Sequence, residues 1–157
     1  MENKSTDWGR SVAGVVLKDN KVLLARHTYG NGTGLLVIPG GYLEQGETPQ
    51  EALKREFLEE TGIVVEPRRL IGIRFNSQNW YAVFTADHIS GEPHSDHDEN
   101  SEVVWMDAAE VMDRDDVPDL TKALIRCALN EDEAFGLIPF VSNSRHGPGY
   151  LYGSAQE

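Results

Sequence analysis

A short apolar run, a glycine turn and an acid-rich helix follow one another between residues 35 and 63, and this succession constrains the fold more than any other feature of the chain. Leu35-Leu36-Val37-Ile38 has the length and character of a buried strand, and Pro39-Gly40-Gly41 closes it in a tight turn of bare backbone. Thr48 then has the chemistry of an N-cap, Pro49 falls at the first helical position, and Glu51 completes a capping box. Leu53, Phe57 and Leu58 supply an apolar strip, and Gly62 after Thr61 supplies the left-handed residue that ends a helix. The spacing predicts a helix over residues 48–61.

At about 100° per residue, Glu56, Glu59 and Glu60 fall within an arc of about 100°. Like charges at this spacing cost a helix about 0.2–0.5 kcal/mol per pair unless something positive lies among them. One reading is a solvated acidic face balanced by Lys54 and Arg55; the other is a divalent-metal site. The glycine turn favours the metal, because it brings backbone close to whatever the glutamates hold. Oxygen ligands of this kind suit Mg²⁺ or Mn²⁺, and no Cys or His cluster competes for a softer ion.

Residues 41–63 resemble the signature of the Nudix hydrolases. In that pattern a glycine, five residues, a glutamate, seven residues and Arg-Glu lead into an apolar residue, any residue, Glu-Glu, any residue, a glycine and an apolar residue. Gly41, Glu47, Arg55, Glu56, Phe57, Glu59, Glu60, Gly62 and Ile63 fill its fixed positions, with an aromatic Phe57 where the family more often has a smaller aliphatic side chain. The resemblance implies an α+β fold, an α/β/α sandwich around a mixed central sheet. It also implies Mg²⁺-dependent hydrolysis of a nucleoside diphosphate linked to another group, with Mn²⁺ as a substitute ion.

By the same resemblance Glu56, Glu59 and Glu60 are metal ligands, joined by the Gly40 carbonyl, and Glu59 and Glu60 act directly in catalysis. Arg55 is expected to orient a carboxylate of the box, and Glu47 to meet Arg55 or fix the loop. Gly41 and Gly62 are structural. For the general base Glu102 is the first choice, with Asp98 and Glu99 behind it.

The remaining chain reads as one domain: 157 residues with 39% hydrophobic and 25% charged residues can bury a full core. Residues 1–133 are assigned to the hydrolase domain and 134–157 to an irregular arm, a candidate flap over substrate or dimer contact. Ser11–Leu17 and Val22–Arg26 read as a hairpin, and 27–34 as a mobile loop. Val64–Arg74, Trp80–His88 and Glu102–Met106 read as strands, Ser90–Asn100 as a surface loop, and helices are expected from Ala108 and from Pro118. The single cysteine, Cys127, cannot close an internal disulfide and is expected to be buried on a helix. With no long apolar run and no signal-peptide pattern, the expected location is the cytoplasm, with no membrane partner.

A net charge of −12 disfavours a nucleic-acid binding module, which needs a basic surface. A small nucleotide diphosphate remains compatible if metal and local cations neutralise its phosphates. Arg26, His27, Arg68, Arg69 and Arg74 are candidates for this, Arg26 foremost, and Trp80 or Tyr81 offers a flat ring for a base. Dinucleoside polyphosphates, ADP-ribose or another nucleotide sugar, and nucleoside triphosphates are the candidate substrates. Tyr81 leans toward the first, and the lack of a proline near residue 78 leans away from ADP-ribose. Two other classes stay open: a nucleotide-sensing Nudix domain without turnover, and an acidic protein-interaction module.

Overall fold

The computed structural model describes residues 9–130, 135–142 and 149–154. The chain begins with the expected hairpin of β1 (Arg10–Lys18) and β2 (Lys21–His27), joined through Asp19 and Asn20, both with positive φ. Two consecutive left-handed residues match the twist of the flanking strands. Strands β3 (Leu36–Val37) and β4 (Gly40–Tyr42) lead to helix α1 (Pro49–Thr61), followed by β5 (Val64–Phe75), β6 (Trp80–Ser90) and β7 (Asn100–Asp107). A short α2 (Ala108–Val111) and an amphipathic α3 (Asp119–Leu129) precede β8 (Phe135–Ile138) and β9 (Tyr150–Ser154).

The described strands form one sheet, ordered β3-β2-β1-β6-β5-β9-β8, with β4 added to β1 and β7 to β2. The β1–β6 pair is parallel and the remaining pairs are antiparallel, so the sheet is mixed. Period-two alternation in β1 divides the core. Val12 and Val16 meet Leu53 and Phe57 of α1 on one face, while Ala13 and Val15 join Ile71, Leu124, Ile125 and Cys127 on the other. Helices therefore cover both faces, giving the expected α/β/α sandwich in an α+β fold. Cys127 is buried on α3.

Helix α1 has the predicted limits, with Thr48 Oγ1 accepting from the Glu51 amide, Glu51 accepting from the Thr48 amide, and Gly62 capping at φ 78°. Gly14 of β1 makes room for its packing: a Cβ there would approach the Phe57 ring to 3.0 Å. Large, fully buried Phe57 thus occupies a slot made for it.

Three local expectations change. Gly40 and Gly41 are not a turn but part of strand β4, in register with Ala13 and Val12 of β1. Gly40 lies so close to β1 that a Cβ would collide with the Val12 carbonyl oxygen, so its glycine serves close approach. Within 27–34, Gly30–Gly32 forms a 3₁₀ turn.

The third correction concerns the C-terminal arm, which is not irregular where it is described: β8 and β9 extend the sheet beyond β5. Gly72, Gly153 and Gly136 stand in one cross-strand row, and a Cβ on Gly153 would press on the Ile71 carbonyl oxygen and the Cys127 sulfur. Gly153 is there for close packing against Ile71 and Cys127, a Cβ on Gly136 would meet open space, and the open edge of β5 supplies the hydrogen bonds. Residues 143–148 and 155–157 of the arm, with Ala134 at its start, lie outside the described residues. No described helix is long and apolar enough to cross a membrane.

Candidate metal and substrate site

The site is assembled where α1, β4 and the loop before β7 meet. Carboxylate oxygens of Glu56, Glu60 and Glu99 all lie within 4.8 Å of one another. Glu56 and Glu60 are one turn apart on the inner side of α1, whereas Glu99 arrives from a segment distant in sequence. A short hydrogen-bonded loop presents it. Asp96 Oδ1 accepts from the amides of Asp98 and Asn100, and Ser95 Oγ donates to the Asn100 carbonyl. Buried Asn100 then donates through Nδ2 to the Glu60 carbonyl at 3.0 Å, tying the start of β7 to the end of α1. Two further contacts from Thr28, to the carbonyls of Asp98 (2.6 Å) and Glu99 (3.2 Å), fix the loop from the other side.

Electrostatics mark this trio as incomplete without a cation. Glu60 is 6% exposed, and burial together with hydrogen bonding and repulsion from Glu56 and Glu99 pushes its carboxyl up to about 10. Burial also raises Glu56, partly offset by its hydrogen bond with Glu60 and by Arg55. Buried carboxylates at this separation are costly unless something positive joins them. The donor set is hard oxygen throughout and fits Mg²⁺ or Mn²⁺. Gly41 lies against this site, since a Cβ there would collide with the Glu56 carboxylate.

Arg55 organises the outer side. Its Nε and Nη2 donate to the two oxygens of Glu47 at 2.6 and 3.0 Å, Nη2 also reaches the Tyr42 carbonyl at 3.1 Å, and Nη1 reaches Glu56 at 3.3 Å. This bidentate pair holds Glu47 below its ordinary range and clamps the loop between β4 and α1. The structure thus brings together Arg55, Glu47 and Glu56, three residues named from the sequence.

Glu59 is placed differently from Glu56 and Glu60. Its side chain is 58% exposed and pairs with Arg55 Nη1 at 3.2 Å, outside the carboxylate trio. Glu102 faces Arg26 across β2 and β7, with Arg26 Nε donating at 3.0 Å, and it too stands apart from the trio. The structure brings Glu99, rather than Glu102, together with Glu56 and Glu60. The sequence signal for it was slight: the Ser95 and Asp96 pattern of side chains bonding backbone two to four residues on, ahead of an asparagine that begins a strand.

Beside the trio lies a cavity of about 350 Å³, bounded by Gly40, Gly41 and Tyr42 at one end and by Arg74, Asn79 and Tyr81 at another. His27 and Tyr29, stacked at 5.3 Å with 12° between their planes, contribute an aromatic wall. Burial lowers the His27 pKa and raises the Tyr29 phenol to about 12, so both are neutral near pH 7. Tyr81 lines this cavity, while Trp80 faces a separate hollow and packs partly against the α1 side of the core. Arg26 is committed to Glu102, Asp116 and the Gly34 carbonyl.

The NUDIX domain profile matches residues 8–127, and the chain belongs to the NUDIX family. Among curated relatives, the NAD-capped RNA hydrolase NudC of Photobacterium profundum is 38% identical over 102 residues, covering 61% of this chain and 36% of that protein. The ADP-ribose pyrophosphatase of Methanocaldococcus jannaschii is 41% identical over 63 residues, 40% of this chain and 37% of that one. The chain thus spans little more than a third of the length of these two relatives. In fold it matches the crystal structure of a MutT NUDIX hydrolase from Burkholderia pseudomallei with TM-score 0.68, 21% identity and coverage of 75% of this chain and 95% of that one.

Proposed function

We propose that this chain is a metal-dependent hydrolase of a diphosphate linkage in a nucleoside diphosphate joined to a second group. The observation that carries the reading is the meeting of Glu56, Glu60 and Glu99 next to Gly41, which also lines a cavity with an aromatic wall. Glu56, Glu60 and Glu99 would hold Mg²⁺, or Mn²⁺ in its place, with the Gly40 carbonyl as a further ligand. The bound ion would supply charge neutralisation at phosphate oxygens and a more acidic water. Glu59 serves on the rim with Arg55.

The chain's own residues do the rest. Arg55 and Glu47 hold α1 and its leading loop in one geometry, and Gly41 keeps the approach to Glu56 clear. Glu99, the exposed member of the trio, replaces Glu102 as the group to accept a proton from the attacking water. The His27–Tyr29 wall receives a nucleobase by stacking. Nucleophilic attack at phosphorus then separates two phosphate-bearing products.

NAD-capped RNA and ADP-ribose, named for the two relatives, share an adenosine diphosphate esterified to ribose, so NADH, ADP-ribose and diadenosine tetraphosphate are the first substrates to test. The net charge of −12 favours the free small molecules over a long RNA. The same reading assigns the protein to the cytoplasm, where such nucleotides occur. Product analysis with Mg²⁺ and Mn²⁺ tests it. Release of mononucleotides, lost in Glu56→Gln, is the expected result, and nucleotide binding without turnover on any substrate would replace the enzyme with a sensor.

A further inference from the structure

Of the five basic residues named from the sequence for phosphate binding, four are already engaged or neutral. Arg26 is held by Glu102 and Asp116, Arg68 by Asp87 at 2.6 Å, and Arg69 by the carbonyls of Ala128 and Asn130 at the end of α3. Burial keeps His27 neutral near pH 7. Arg74 stands apart. No Asp or Glu pairs with it among the described residues, although the chain carries 26 acidic residues against 14 Lys and Arg.

Arg74 is nevertheless held firmly in place. Its Nη2 donates to Asn79 Oδ1 at 2.5 Å, and its guanidinium lies 5.2 Å from the centroid of the Tyr81 ring. Asn79 is itself fixed, donating through Nδ2 to Ser11 Oγ at 3.1 Å and through its amide to Asn76 Oδ1. The Arg74 Nε is buried and has no hydrogen-bond partner, a cost the fold carries to keep the guanidinium at this place. The residue lines the same cavity as Gly40, Gly41 and the His27–Tyr29 wall.

We propose that Arg74, oriented by Asn79 and Tyr81, is the anion anchor of this cavity and binds non-bridging oxygens of a substrate or product phosphate. The proposal rests on the nucleotide-hydrolase reading above for the identity of its ligand. A phosphate suits the geometry because it offers two acceptor oxygens to a planar fork, which a guanidinium matches better than a point charge does. The aromatic stack on Tyr81 restrains the guanidinium plane and raises its selectivity for a correctly placed group.

Calorimetric titration of the full chain without metal, using AMP and adenosine as probes, tests the anchor separately from turnover. Wild type is expected to bind AMP at least about tenfold more tightly than adenosine. Arg74→Met, which keeps the stem, should erase this preference while leaving adenosine affinity unchanged, and Arg74→Lys should restore part of it. Circular dichroism and thermal melting establish that both variants fold.

A folded Arg74→Met protein that still prefers AMP overturns the proposal. So does wild type without the preference, and so does an equal loss for AMP and adenosine, which would make Arg74 a reader of the base. Loss of the AMP preference in a protein that hydrolyses none of the substrates upholds the anchor and defeats the hydrolase reading. Hydrolysis with an unchanged preference in Arg74→Met does the reverse.

Discussion

Two acidic clusters in this molecule are built from the same chemistry and end in opposite states. In one, Asp116 accepts from Arg114 Nε and Nη2 at 2.8 Å and from Arg26 Nη1 at 3.1 Å, while Glu102 takes Arg26 Nε. Arginines there hold the Asp116 carboxyl well below the usual carboxylate range. In the other, Glu56, Glu60 and Glu99 converge, Arg55 reaches Glu56 alone of the three, and Glu60 is pushed up to about 10. Acids with fitted cations close a fold. Buried acids without them leave a place for a ligand.

The largest expected effect separates these states. Glu56→Gln or Glu60→Gln should reduce kcat/KM by more than the roughly 10–100-fold that follows loss of a group one step removed from a metal. The metal-free proteins should melt no lower than wild type, because Glu60, pushed up to about 10, is already uncharged near pH 7 and Glu56→Gln relieves a buried, crowded carboxyl. Steady-state kinetics and melting in chelator check both halves, and a lowered melting point with activity retained would make the trio structural.

Gly40 and Gly41 come next, and they should divide. Gly40→Ala drives a methyl into β1 backbone and should cost about 1–3 kcal/mol in urea unfolding. Gly41→Ala meets the end of the Glu56 side chain, which can move, so stability should hold while activity falls.

Glu47→Gln removes half of the clamp on Arg55. A 10–100-fold fall in kcat, roughly what loss of an orienting partner brings, should accompany a small change in KM. An unchanged kcat would show that the loop needs no clamp.

The smallest effect belongs to the paired cluster. Asp116→Asn should lower stability by about 0.2–1 kcal/mol near pH 7 without changing turnover. Because the Asp116 pKa is depressed in the folded protein, its stabilisation is present above the ordinary aspartate value and is lost as pH falls toward the lowered one. Wild type and variant should therefore converge in acid, as unfolding midpoints measured from neutral pH down to about pH 2 would show. Divergence in acid would remove Asp116 from this role.

Where local chemistry decides, the sequence was legible. The Thr48–Glu51 capping box, Pro49 and Gly62 delimit α1 because each acts within a few residues of itself. The hairpin at Asp19-Asn20 and the helix at Asp119–Leu129 are legible for the same reason. The C-terminal strands were not, since Gly136 and Gly153 weaken any strand pattern and Gly153 gains its meaning only beside Gly72 and Cys127. Glu99 and Glu102 are three residues apart and alike in type; one faces Arg26 in the β2–β7 ladder and the other reaches Glu60 only because Asn100 ties the loop to α1, Glu102 being the first of these and Glu99 the second.

By itself, the sequence determined the acid-bearing helix, its caps and the family to which it belongs, because capping and helical periodicity are short-range. Only the tertiary structure decided which carboxylates meet, which arginine is left with a buried, unpartnered Nε, and what the glycines at 40 and 153 are for. Those outcomes depend on strands that pair across the whole chain, where the distance in sequence between two groups says little about whether they touch.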